Sequence, residues 1–151
     1  MRALPPGVVQ SFGRLESDPV SGESGRERVL KRMNAADCLL LLHGTEDYCA
    51  EYIPSKLYEY LWTQRPVLAL VWHNPQMKKM LEDMGHWAVD AVDAPAIERA
   101  LHELIGHWQR DALPDSGRPS PYSVQAAVRE LVAWADAAVA ERRTLFLARG
   151  R

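Results

Sequence analysis

The stretch from residue 36 to residue 72 restricts the possible folds of this chain more than any other part of the sequence. It contains two short apolar runs, Ala36–Leu42 and Val67–Trp72, separated by a polar segment and a helical pattern that begins at Pro54. Apolar runs of this length, bounded by Gly or Pro, are typical of strands that are buried on both faces of a sheet. Two such strands joined through a helix form a βαβ unit with parallel strands. The sequence therefore predicts an α/β fold.

The start of the helix inside this unit is a candidate anion-binding site. Pro54 at the first helical position loses no hydrogen bond, and the free amides of Ser55, Lys56 and Leu57 then point outward with the positive end of the helix dipole behind them. Glu59 lies one turn beyond Ser55, where its carboxylate can accept hydrogen bonds from the hydroxyls of a sugar. A simpler interpretation is an ordinary helix start in which Glu59 forms a surface ion pair with Lys56.

Two loops supply further candidate residues. His43 ends the first predicted strand, where it would contact a sugar or phosphate or satisfy the backbone of the loop. Gly44 and Thr45 allow close approach to a ligand, although Gly-Thr is also ordinary turn chemistry. Gly13 and Arg14 would border a nucleotide base or form a simple turn.

The segment EYIPSKLYEYLWTQRPVLAL resembles the donor-binding segment of GT-B glycosyltransferases, in particular family-4-like enzymes. Glu51 and Glu59 fit the Glu-x7-Glu spacing of that superfamily, and weaker similarity extends over residues 8 to about 138. The resemblance implies transfer of a sugar from a nucleotide-diphosphate-sugar donor. It also implies that Ser55 and Lys56 hold the diphosphate, that Glu59 holds the ribose, and that Glu51 faces the sugar as the candidate catalytic residue. The donor-binding set predicted on this basis is Gly13, Arg14, His43, Gly44, Thr45, Ile53, Pro54, Ser55, Lys56 and Glu59.

The rest of the chain continues the alternation of strands and helices. Further strands are predicted at Val8–Phe12 and Trp87–Val92, and with the central pair they give a parallel Rossmann-like sheet of about four strands with helices on both faces. Two later helices are predicted to turn one apolar stripe inward. The stripes are Ile97, Leu101, Leu104, Ile105 and Trp108 in the first, and Val124, Val128, Leu131, Ala135, Ala138 and Val139 in the second.

The resemblance also suggests that this chain is part of a larger enzyme. In the family the donor domain has the strand order 3-2-1-4-5-6, and this chain begins at the third strand. We therefore expect a domain fragment with weak donor binding and little or no transferase activity alone. Its partners would be an amino-terminal acceptor domain or a second copy in a homo-oligomer. The alternative is a non-catalytic α/β interaction module that associates through the open edge of the 37–42 strand or through the helix at 124–139.

Composition excludes several classes of protein. The chain has 151 residues, a net charge of −2 and a pI near 6.2, so no nucleic-acid partner is expected. No apolar run approaches the ~20 residues of a membrane span. One domain is predicted over residues 1–151, with 140–151 as a flexible tail.

Cysteine and histidine usage points to a cytoplasmic protein without a metal. The two cysteines, Cys38 and Cys49, do not form a disulfide framework, so a reducing cytoplasm is expected. The histidines are spaced singly and show no zinc pattern. The GT-B resemblance likewise implies no bound metal or other cofactor, with the nucleotide sugar as substrate.

Overall fold

Strands and helices alternate along the chain. The computed structural model describes residues 7–114 and 120–149, with side chains described as far as residue 142. These residues fall into two compact units, one within 7–114 and one within 120–149, and the prediction of one domain over residues 1–151 stays a prediction. In chain order the elements are α1 (Gly25–Ala35), β1 (Leu39–Leu42), a short 3-10 helix (Asp47–Glu51), α2 (Ser55–Trp62), β2 (Val67–Val71), α3 (Pro75–Asp83), β3 (Trp87–Asp90), α4 (Ala94–Gln109) and α5 (Val124–Arg149).

The first unit is built on an open, parallel sheet with the strand order β1-β2-β3. Leu39 is in register with Val67, and Leu68 is in register with Trp87. Helices α2 and α3 connect consecutive parallel strands, as a βαβ arrangement requires. The α/β class and the parallel sheet predicted from residues 36–72 are thus confirmed.

The predicted strand at Val8–Phe12 is not found, so the sheet has three strands in the described residues rather than about four. Gly7 and Gly13 flank this segment with φ values of 85° and 57°, which turn the backbone away from an extended path. The apolar side chains of the segment stay exposed. Phe12 instead contacts the guanidinium of Arg32, whose central carbon lies 3.7 Å from the ring centroid.

Local sequence signals explain where the helices begin and end. Ser24 and Glu27 form a reciprocal capping box at the start of α1. Asn74 and Asp93 accept hydrogen bonds from the backbone amides of the first turns of α3 and α4, as expected for N-caps followed by Pro. Gly85 follows α3 with a φ of 79°, a left-handed conformation that ends the helix without strain.

One face of the sheet, which we call the closed face, carries most of the core. Helices α1, α2 and α3 cover it, and side chains from all three helices pack against β1 and β2 in one continuous cluster. Burial of this much apolar surface is the main favourable contribution to folding of this unit. The buried members are Met33, Leu39, Leu41, Leu57, Leu61, Val67, Ala69, Val71, Met77, Met80 and Leu81.

Within the first unit, the helix that packs on the opposite face, which we call the open face, is α4. Its buried cluster contains only Leu68, Ala100 and Leu104, with partly buried neighbours around them. Leu40 and Leu42 of β1 point to this face and are 52% and 67% exposed. The prediction that β1 is buried on both faces is therefore wrong, whereas β2 is largely buried on both faces.

The apolar stripe predicted for α4 is only partly turned inward. Ala100 and Leu104 are buried, but Leu101, Ile105 and Trp108 are exposed. The buried side of the helix is thus centred on Ala100 and Leu104, and Ala100 was not part of the predicted stripe. These three side chains add to the apolar surface of the open face.

The second unit is the single long helix α5. The apolar side chains predicted to face inward are exposed along its described length, including Val124, Val128, Leu131 and Val139. The helix continues to Arg149, beyond Val139 where the predicted apolar stripe ends, and residues 150–151 of the predicted tail lie outside the described residues. Within the described residues, no helix combines the length and apolar character needed to cross a membrane.

Candidate functional site

The candidate residues lie around the edge of the sheet where β1 and β2 end, which we call the carboxyl edge. His43 follows β1, and Trp72 and His73 follow β2. The amide of His43 donates to the carbonyl of Leu70 at 3.0 Å, and the amide of Trp72 donates to Nδ1 of His43 at 3.3 Å. These two hydrogen bonds hold the ends of the two strands together. In open α/β sheets, ligands bind beyond this edge.

His43 is a buried residue with one unused ring nitrogen. Because Nδ1 accepts the Trp72 amide, the hydrogen of the neutral ring is assigned to Nε2. The side chain is 6% exposed, and Nε2 is buried with no hydrogen-bond partner in the described residues. Burial lowers the pKa of His43, while the nearby carbonyl of Tyr52 acts in the opposite direction. His43 is therefore a buried, neutral ring that lies near the Tyr52 carbonyl, although its Nε2 makes no hydrogen bond of good geometry in the described residues.

Trp72 presents a second donor of the same kind. Its Nε1 is buried and also has no partner in the described part of the chain. The indole ring stacks on His73, with ring centroids 3.8 Å apart, and His73 has an unusual φ of 43°. Buried donors normally have partners, so two such groups at consecutive strand ends suggest that an acceptor binds here.

The loop after His43 is closely packed rather than open. A Cβ atom on Gly44 would lie 2.8 Å from Sγ of Cys49 and would overlap the carboxylate of Glu46, so only glycine fits this position. Cys49 is fully buried, with its thiol 3.5 Å from the Glu46 carboxylate and 3.9 Å from the Tyr52 hydroxyl. The contact with the Cys49 thiol is the largest of the effects that raise the pKa of Tyr52. Cys49 is thus part of the loop's core.

The remaining candidates in this loop are on the surface. Thr45 and Glu51 are exposed, and Glu51 is the last residue of the 3-10 helix. Cys38 is half-buried in the bend before β1, and both cysteines are free. The two cysteines thus form no disulfide.

The start of α2 differs in detail from the prediction. Pro54 is the residue before the helix, with φ −65° and ψ 135°, and Ser55 is the first helical residue. The amide of Leu57 is not free, because it donates to the carbonyl of Pro54 at 2.9 Å. The amides of Ser55 and Lys56 remain the outward-facing donors of this turn, and both side chains are exposed.

Glu59 forms an ion pair, but with Arg26 rather than with Lys56. Its Oε1 lies 3.4 Å from the Arg26 guanidinium, and the Glu59 side chain is 37% exposed. Arg26 lies in the first turn of α1, and its contact with Glu59 places this turn beside the start of α2. The pair is accessible, and its contribution to folding is small.

Arg14 lies close to this ion pair. Together with Arg26 it lines an open depression of about 500 Å³, formed by the loop at residues 14–17 and the start of α1. The neighbouring Gly13 is exposed. The structure therefore places Arg14 beside Arg26, which is the ion-pair partner of Glu59.

Sequence reasoning missed three residues of this region. Arg26 was not detectable, because its contact with Glu59 joins residues that are 33 apart in the sequence. Trp72 was detectable, because it directly follows β2 at the carboxyl edge. Asn74 caps α3, but it is also buried, and its side chain donates to the Tyr52 carbonyl at 3.0 Å.

Three comparisons with known proteins add no relative. No protein-family model, no curated protein and no solved structure matches this chain. The resemblance noted above therefore depends on the sequence motif alone. Among the described residues, no three His, Cys, Asp or Glu side chains are grouped so that they would hold a metal ion.

Proposed function

We propose that this chain is a donor-binding domain of a glycosyltransferase and binds a nucleotide-diphosphate sugar at the carboxyl edge of its sheet. The observation that carries the proposal is a pair of buried nitrogens at the ends of adjacent parallel strands, His43 Nε2 and Trp72 Nε1, which make no hydrogen bond of good geometry in the described residues. Because both nitrogens are buried, a ligand rich in oxygen acceptors would satisfy them after the two side chains turn outward. The PSKLYEY motif supplies the specific class of ligand.

The diphosphate would bind at the start of α2. The amides of Ser55 and Lys56 face outward there, and Lys56 adds a positive charge. Arg26, which contacts Glu59 of α2, and the neighbouring Arg14 are further cations available to this ligand. Together these groups would stabilise the negative charge of the diphosphate when the sugar leaves.

The nucleoside and the sugar would lie on either side of the diphosphate. Glu59 would accept the ribose hydroxyls, for which its ion pair with Arg26 must open or be shared. Opening costs little, because the pair is exposed to solvent. Glu51 would face the sugar from the end of the 3-10 helix, with Gly44, Thr45 and Ile53 bordering the site. Without an acceptor-binding region in the described residues, we expect binding without efficient transfer.

Calorimetric titration with UDP, GDP and inorganic pyrophosphate tests the proposal. Lys56→Ala should weaken both UDP and pyrophosphate by about tenfold, because both carry the diphosphate. Glu59→Ala should weaken UDP or GDP by a similar factor and leave pyrophosphate unchanged, because pyrophosphate has no ribose.

Two substitutions serve as matched controls. Arg110→Ala removes a cation at the carboxyl-terminal end of α4, and Glu103→Ala removes an exposed carboxylate of the same helix. Neither should change binding of any probe. A folded chain that binds none of the nucleotides, or that loses binding equally in the controls, would contradict the proposal.

A second candidate function is a non-catalytic interaction module. The observation that favours it is the apolar surface of the open face, where Leu40, Leu42, Leu101, Ile105 and Trp108 are exposed. Exposed apolar patches of this kind mark association surfaces. Ligand-independent association, together with no nucleotide binding, would favour this candidate over the first.

A further inference from the structure

The outer edge of β1 is an unprotected sheet edge. The amide of Leu39 donates to the carbonyl of Pro66 and that of His43 to the carbonyl of Leu70, so the odd-numbered residues of this strand face β2. Backbone groups alternate in direction along a strand, so the amides and carbonyls of Leu40 and Leu42 point away from β2. In the described residues, β1 pairs with β2 alone.

This edge lacks the features that normally prevent association. Natural edge strands are blocked by Lys, Pro, bulges or inward-pointing charges. Residues 39–42 are four consecutive leucines in regular register with β2. Leu40 and Leu42 have their backbone groups on the free edge and their side chains exposed on the open face. Leu40 and Leu42 are therefore available both for backbone pairing at the edge and for side-chain packing on the open face.

A groove on the open face extends this surface. It has a volume of about 350 Å³, and its lining is almost entirely apolar. Leu40 of β1 forms one side, and Leu101, Ile105 and Trp108 of α4 form the other. An edge strand and an apolar groove thus lie side by side.

We propose that two copies of this chain form a dimer in which β1 pairs antiparallel with β1 of the second copy, making a continuous six-stranded sheet. Twofold pairing requires a surface that is complementary to itself. A run of four identical residues meets that condition, because it reads the same in both directions. Outward-facing residues must pair with outward-facing residues, so Leu40 would lie opposite the partner's Leu42 and Leu41 opposite the partner's Leu41.

Charge also favours this arrangement. In this register Asp37 lies opposite the partner's Thr45, so no two like charges face each other across the axis. Both Leu40–Leu42 pairs would exchange backbone hydrogen bonds and bury their side chains together on the open face. A four-residue strand pair falls short of the ~800 Å² per partner of a standard interface. We therefore expect a weak dimer whose mass depends on concentration.

Sedimentation velocity over a concentration series, with two variants of the proposed interface, tests the assembly. Leu42→Lys and Leu40→Lys replace exposed side chains, so the monomer should remain folded, as circular dichroism would verify. Each should weaken dimerisation by at least about tenfold, because it places a charge against leucine in the pair. Two controls, Val92→Lys and Trp134→Lys, change apolar residues that are 63% and 68% exposed elsewhere, and should leave the dimer intact.

Amide hydrogen exchange of the unmodified chain gives an independent readout. The amides of Leu40 and Leu42 point to the free edge, so their protection should rise with protein concentration as the strands pair. Three results would overturn the proposal: a monomer at every concentration, a dimer lost only in Trp134→Lys, or a dimer without added protection at Leu40 and Leu42.

Discussion

The two faces of the sheet share the same three strands but differ in how completely they are covered. Three helices pack on the closed face and bury side chains from β1, β2 and every one of those helices. One helix packs on the open face, and its buried cluster is small. The contrast is sharpest in β1, where Leu41 is 3% exposed and Leu40 is 52% exposed. The closed face therefore contributes most to the stability of the first unit, and the open face leaves apolar side chains exposed.

Substitutions of two adjacent leucines of β1 should give the largest difference in the free energy of unfolding between the two faces. Leu41→Ala removes buried methyl groups from the closed face and should lower the free energy of unfolding by about 2–5 kcal/mol. Leu40→Ala removes a half-exposed side chain from the open face and should cost less than about 1 kcal/mol. Urea unfolding at low protein concentration, where a dimer would dissociate, compares the two. Equal losses in the free energy of unfolding for the two variants would contradict the conclusion that Leu41 lies on the closed face and Leu40 on the open face.

Removal of the N-caps of α3 and α4 should give an intermediate difference in the free energy of unfolding. Asn74 is buried and holds two hydrogen bonds, one from the amide of Met77 at 2.8 Å and one to the Tyr52 carbonyl at 3.0 Å. Asn74→Ala should therefore cost about 2–3 kcal/mol, since it removes a buried cap and leaves the partly buried Tyr52 carbonyl with one partner fewer. Asp93→Ala removes an exposed cap on the open-face helix and should cost about 1 kcal/mol. Thermal unfolding of both variants compares the two losses of stability. A larger loss for Asp93→Ala than for Asn74→Ala would contradict this prediction.

The pH dependence of stability is the smallest effect. Burial lowers the pKa of His43 and of His86 in the folded protein, so the unfolded chain binds protons more readily at both sites. The free energy of unfolding should therefore fall as the pH decreases below about 6.5, the usual pKa of histidine.

Substitution of single histidines assigns this pH effect. His86→Gln should reduce the slope of stability against pH, measured by urea unfolding at several pH values. His102→Gln, at an exposed position of α4, is the matched control. An unchanged slope in His86→Gln would mean that another group is responsible.

The sequence predicted the elements whose signals are local and strong. The βαβ unit followed from two apolar runs and an intervening helical pattern, and α4 followed from the helical spacing of the apolar residues between Ile97 and Trp108. The strand predicted at Val8–Phe12 is wrong because a short apolar run does not reveal whether a neighbouring strand exists to pair with it. The exposure of Leu40 and Leu42 was missed for a similar reason. An apolar run predicts a buried strand, but it does not show how many helices cover each face of that strand.

The candidate site was predictable as a location but not as a set of contacts. The topology of a parallel sheet places the loop after β1 and the start of α2 at one edge, and both are there. The partner of Glu59 was not predictable, because Arg26 is 33 residues away in the sequence and competes with the nearer Lys56. The unused nitrogens of His43 and Trp72 depend on tertiary packing, which composition and spacing do not encode. Whether these residues bind a donor stays a prediction.

Mapping amide chemical shifts of the 15N-labelled chain during titration with UDP tests the central claim most directly. Binding at the carboxyl edge should shift the amides of Gly44, Ser55 and Lys56 saturably, together with the indole Nε1–H of Trp72. Saturable shifts confined to the open face around Leu40 and Ile105, or no shifts in a folded chain, would contradict the account.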